Sequence, residues 1–135
     1  MASIHIDRVI AASADRVWDA IRDVGALHTR LVPGFVVDTR LEDDARIVTF
    51  GNGMVARELL VDLDDARRRF AYSARGERFA HHSASNQIFD EGEGRCRFVW
   101  IADVLPDDLA PMVAGMMEQG ADVLKATLER GHDPA

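Results

Sequence analysis

The segment Pro106–Arg130, PDDLAPMVAGMMEQGADVLKATLER, decides the fold. Asp108 reads as the N-cap of a helix, which places Pro111 in the first turn, where its missing backbone N–H costs nothing. Leu109, Met112, Val113, Met116, Gly120, Leu124 and Leu128 then recur at steps of three and four, the spacing of one buried helical face. At about 1.5 Å per residue the helix is about 33 Å long, enough to cross a small domain. One apolar face of that length needs a surface to cover, and the chain upstream supplies strands.

Ser3 to Ala11 reads as a first strand with Ile4, Ile6 and Ile10 on one side, where Arg8 is the exception. Ser13 caps a helix with Val17, Trp18 and Ile21 on its apolar face, ended by Gly25, and Ala26 to Leu31 forms a second short helical segment. Further strands follow at Phe35 to about Glu42, Ile47 to Phe50, Met54 to Leu63, about Arg67 to Ser73, Phe79 to Asp90 and Arg95 to Leu105. Gly51-Asn52-Gly53 is a hairpin signal, because both residue types accept positive φ; it lacks the third glycine and the following helix of a dinucleotide-binding loop. In the last strand Cys96, Phe98, Trp100, Ala102 and Val104 share a face. These elements describe an α+β fold, one domain spanning residues 1–135.

Composition narrows the function classes. A 135-residue chain that is 47% hydrophobic builds a core without disulfides. A net charge of -7 argues against nonspecific binding to nucleic acid or anionic membranes. Cys96 is the sole cysteine, which rules out an intrachain disulfide and a cysteine-based zinc cluster; its strand context suggests a buried, inert thiol. His5, Asp7 and Arg8 interrupt the N-terminus, so neither a signal peptide nor a membrane span is read there, and a cytoplasmic location is expected.

Two segments carry a family resemblance. Ile10-Ala11-Ala12-Ser13-Ala14-Asp15-Arg16-Val17-Trp18-Asp19-Ala20-Ile21-Arg22-Asp23 resembles the strand-to-helix junction of the START-like, or Bet v 1-like, superfamily, and Phe98 to Pro106 resembles its last-strand exit. With the final helix, the likeness covers essentially the whole chain and lies nearest the polyketide cyclase/dehydrase-like (SRPBCC) branch. It implies the helix-grip fold: a curved antiparallel sheet of about six to seven strands wrapped around the C-terminal helix, two short helices after the first strand, and a cavity between sheet and helix. Members of the superfamily bind lipids, sterols, hormones or polyketides, catalyse cyclisation or dehydration, or bind other proteins, so the fold does not choose the function.

Residue chemistry supplies the candidates. His82 shares a strand face with Ala84, Asn86 and Ile88, so it can present an imidazole beside an amide in a partly apolar pocket. Its neighbour His81 points the other way, and no spacing supports a metal site. Arg57 sits among Val55, Leu59 and Val61 on an apolar strand face, where it would bind a ligand oxygen or pair with a carboxylate such as Asp90; Glu58 alternates to the opposite, solvated face. His28 and Arg30 lie where the resemblance places the cavity mouth. Trp18, Phe35, Phe98, Trp100, Met112, Met116 and Gly120, all core material, together with His28, are the candidate ligand contacts.

Three functions are compatible with this pattern. The first is binding of a hydrophobic small molecule, lipid-, aromatic- or polyketide-like, between the sheet and the last helix. In the second, a cofactor-independent cyclase or dehydratase uses His82 as acid or base and Arg57 or Asn86 to stabilise an enolate oxygen. The third is a protein-interaction module whose cavity has collapsed. Either a monomer or a homodimer fits each of them, with no cofactor, metal or nucleic acid required.

Overall fold

The computed structural model describes residues 1–130. Its elements run β1 (Ala2–Ile10), α1 (Ala14–Arg22), a 3-10 turn (Val24–Ala26), a π turn (Leu27–Leu31), β2 (Val36–Glu42), β3 (Ala45–Phe50), β4 (Val55–Asp64), β5 (Arg69–Arg75), β6 (His81–Gly92), β7 (Arg95–Leu105), a 3-10 turn (Asp107–Leu109) and α2 (Ala110–Arg130). The strands form one curved antiparallel sheet in the order β1-β7-β6-β5-β4-β3-β2. This is the helix-grip fold, a seven-stranded sheet gripping a long C-terminal helix. Among the described residues no helix is long and apolar enough to cross a membrane.

The N-terminal strand forms one edge of the sheet and pairs with the last one, in register from Ala2 opposite Val104 to Ile10 opposite Cys96. Cys96 is fully buried, and burial pushes its thiol up to about 11. Ser13 accepts the Arg16 N–H at 3.2 Å, so α1 starts where its cap predicts. It stops at Arg22, before Gly25.

Helix α2 begins later than the sequence suggests. Asp108 does not cap it; Asp107–Leu109 forms a 3-10 turn without a side-chain cap bond, and Pro111 lies in the first turn of the α-helix proper. Val113, Met117, Gly120, Ala121, Leu124 and Leu128 are buried. At Gly120 the helix backbone packs closely against the core, since a Cβ there would lie 3.1 Å from the Phe35 ring and 3.5 Å from Trp100. Along the opposite margin α2 is tied to β1. Arg8 pairs with Glu118 and Asp122, and Lys125 donates to the Val9 carbonyl at 2.7 Å. The misplaced cation of β1 is thus a link to the helix.

The hairpin at Gly51–Gly53 follows its turn chemistry. Gly53 has φ 93, and the Phe50 N–H donates to Met54 O at 2.8 Å. Gly51 admits no side chain, because a Cβ would stand 2.5 Å from the Gly34 carbonyl oxygen.

Strand β4 reverses the sequence expectation. Val55 and Val61 are each 63% exposed, whereas Glu58 is 7% exposed and faces the helix side. A bulge between Leu60 and Asp62 shifts the register against β5 and inverts the alternation midway along the strand.

Candidate functional site

Between the sheet and α2 lies a cavity of about 170 Å³. Its helix wall is made by Met112, Met116, Met117, Gly120 and Leu124; Phe35, Phe98 and Trp100 pack around it, and polar side chains come from β3 to β6.

On β3 and β4, Arg46 and Glu58 are direct cross-strand partners on the inner face. Arg46 is 4% exposed, and its Nε donates to Glu58 Oε1 at 2.8 Å. A second nitrogen donates to the Val24 carbonyl at 3.3 Å. The guanidinium stands 5.1 Å from the Phe70 ring centre and 5.6 Å from that of Tyr72, so aromatic faces complete the surroundings of the buried cation. Neutralising each charge at hydrogen-bonding distance is what makes ionic groups tolerable there.

Trp100 donates its indole N–H to the Tyr72 hydroxyl at 3.0 Å. Burial and then the Glu58 charge hold the Tyr72 phenol well above its ordinary pKa, so it stays protonated.

His82, on β6, is 8% exposed. The β5–β6 backbone pairing runs from Arg69 opposite Gln87 only to Tyr72 opposite Ala84. Beyond it, side chains take over: His82 Nδ1 accepts the Ala74 N–H at 2.9 Å, and the Ser73 hydroxyl donates to the His82 carbonyl. Burial above all, with the neighbouring His81 adding to it, lowers the imidazole to about 4. At neutral pH the ring is uncharged, with its proton on Nε2 because Nδ1 is an acceptor. An imidazole held this way is a hydrogen-bond donor toward the cavity. Asn86, laterally opposite Phe70 and Trp100, lines the same cavity.

The candidates predicted from sequence thus divide. His82, Asn86, Phe35, Phe98, Trp100, Met112, Met116 and Gly120 come together around the cavity. Arg57 does not: its side chain is 43% exposed on the outer face, 3.7 Å from Glu42 rather than near Asp90. The version of the catalytic reading that joins Arg57 to His82 is therefore excluded, since the two stand on opposite faces of the sheet. Trp18 is buried away from the cavity and donates to Asp65 Oδ1 at 2.9 Å, while Arg22 reaches the same oxygen at 2.8 Å; together they fasten α1 to the β4–β5 turn. His28 is half-buried in the π turn, outside the lining, with Nδ1 unpartnered among the described residues. Arg30 is engaged with Asp19 of α1 and with Asp23 just after it, rather than with the cavity.

Sequence reasoning missed Arg46, Glu58, Tyr72 and Arg78. Starting β3 one residue earlier, so that Arg46 alternates with Val48 and Phe50, would have exposed the first pair.

Comparison with known proteins bears on the fold. The family described as polyketide cyclase / dehydrase and lipid transport matches residues 1–129. Among solved structures, the di-domain ARO/CYC BexL from the BE-7585A biosynthetic pathway superposes with a TM-score of 0.84 at 17% identity, covering 99% of this chain and 48% of that one. Norcoclaurine synthase from Thalictrum flavum, in complex with dopamine and hydroxybenzaldehyde, gives 0.73 at 19% identity, covering 98% and 89%. A START superfamily protein from Mycobacterium smegmatis gives 0.69 at 17% identity, covering 94% of each chain. No curated protein matches the sequence.

Proposed function

We propose that this chain, which belongs to the polyketide cyclase / dehydrase and lipid transport family, binds a small, largely apolar molecule between its sheet and α2. The observation that carries this reading is the cavity itself, methionine-walled on the helix side and furnished with a few fixed polar groups, the usual make-up of a small-molecule site. Its size sets the scale of the ligand. Drug-sized sites measure about 300 Å³ or more, whereas an apolar cavity of about 150 Å³ accommodates benzene. A volume of about 170 Å³ thus favours a one-ring or short-chain body over a polycyclic one. His82 Nε2–H and the Asn86 amide are the groups assigned to orient a ligand oxygen. Met112 and Met116 adapt the wall to its shape.

The Thalictrum flavum enzyme structure holds dopamine and hydroxybenzaldehyde, and BexL is described as a di-domain ARO/CYC of a biosynthetic pathway. Both are consistent with aromatic or polyketide-like occupants. Of the three functions, binding has the most support: the neutral, donor-only His82 is poorly suited to act as a base, and the cavity exceeds the roughly 100 Å³ of a collapsed pocket.

Met116→Trp tests it. The variant is expected to keep the far-ultraviolet circular dichroism of the native fold while losing uptake of a one-ring probe such as phenol, measured by ligand-observed NMR. Unchanged uptake in a folded variant refutes this site.

A further inference from the structure

Charge within the cavity is nearly, but not fully, cancelled. Three lining residues carry formal charge at neutral pH: Arg46, Glu58 and Arg78. The first two neutralise each other at 2.8 Å deep in the sheet. Arg78 is left over. It stands exposed in the loop between β5 and β6 and makes no ion pair among the described residues. The same lining is also exposed at Met54, between β3 and β4, and half-buried at Phe79, next to Arg78 in the chain, and at Met112 and Met116 of α2.

An unbalanced cation at the rim of an apolar cavity makes the site polar along its length. An anionic group carried inward would lose its hydration and meet Glu58 beside Arg46, a poor exchange for a buried charge. At the rim it keeps its water and gains Arg78, while the apolar remainder leaves water for the interior. A cationic end would be repelled there.

We infer that the cavity takes a small organic acid, with its carboxylate at Arg78 and its aromatic or short-chain body against Met112, Met116 and Trp100. The inference rests on the reading of the cavity as a ligand site and adds the charge and direction of the ligand.

The test uses three probes with one body, 4-phenylbutanoate, 4-phenylbutanol and 4-phenylbutylamine, titrated calorimetrically into the full chain at low ionic strength. The acid is expected to bind tightest and the amine weakest. The acid should exceed the alcohol by up to about fivefold, the upper range for a solvent-exposed ion pair, and its advantage should shrink as salt screens the rim. Arg78→Gln should abolish the preference and leave the affinity for the alcohol unchanged, Arg78→Lys should retain part of it, and Arg95→Gln, at an exposed arginine outside the lining, should keep it whole. Equal binding of acid and alcohol by the native protein, or a preference that survives Arg78→Gln, overturns the inference while the cavity reading stands. Failure of all three probes to bind overturns both.

Discussion

His82 occupies a position where a strand would ordinarily bond backbone to backbone, and its ring takes the Ala74 N–H instead. The same bond ties the titration of the imidazole to the stability of the sheet. Its folded pKa of about 4 lies below the ordinary 6.5, so as pH falls the unfolded chain takes up this proton first. The stabilising contribution is complete above about pH 6.5 and is lost progressively down to about pH 4, with a total on the order of 3 kcal/mol. His81 and Arg75 oppose the imidazolium in the folded protein, and Asp103 only partly favours it. Denaturant unfolding between pH 7 and pH 4 should therefore show a steeper acid decline for the native protein than for His82→Gln. Parallel declines would mean that the ring is not held neutral. NMR of the imidazole nitrogens should likewise find the Nε2-protonated tautomer at pH 7.

The elements respond to their glycines and charges in opposite ways at positions that look alike in the sequence. Gly115 and Gly120 both weaken α2 by roughly 1 kcal/mol relative to Ala. Gly115 is exposed, with nothing near a prospective Cβ, whereas one at Gly120 presses on Phe35 at 3.1 Å. Gly115→Ala should thus raise the melting temperature by about 4 °C, while Gly120→Ala should give no such gain and should narrow the cavity; equal stabilisation by both would refute the close packing of α2 on Phe35.

The pair joining β3 to β4 gives a second contrast. Glu58→Ala strands the Arg46 charge in the core and should cost about 3–5 kcal/mol, whereas Arg46→Met with Glu58→Leu should be near neutral or stabilising in denaturant titrations. The same pair shows where sequence legibility ended. Ile4, Ile6 and Ile10 of β1, the Ser13 cap, the inner face of β7 and most of α2 follow period and cap chemistry, and the structure agrees with them. In β4, Val55 and Val61 imitate a buried stripe but face solvent, and the bulge after Leu60 changes the phase within the strand. Alternation identifies two faces, not which one the helix covers, and a single extra residue exchanges them. His82 and Asn86 were legible because β6 stays in phase from His81 to Asp90.

At the scale of the molecule, the sheet is an antiparallel succession from β2 through β7 with one exception, the first strand, which waits for the last. Each pairing from β2 onward joins neighbours in sequence, but β1 finds its register only against residues 96–104. During synthesis at about 5–20 residues per second, that partner is translated roughly 5–20 s after β1. Over this interval Ile4, Ile6 and Ile10 belong to a nascent chain without the surface that will bury them. Ribosome-stalled chains ending before β7 should therefore be cleaved by protease within β1, and chains in which β7 and α2 have cleared the exit tunnel should be protected there. The topology makes completion of this fold an event late in translation and leaves the apolar face of the N-terminal strand uncovered until then.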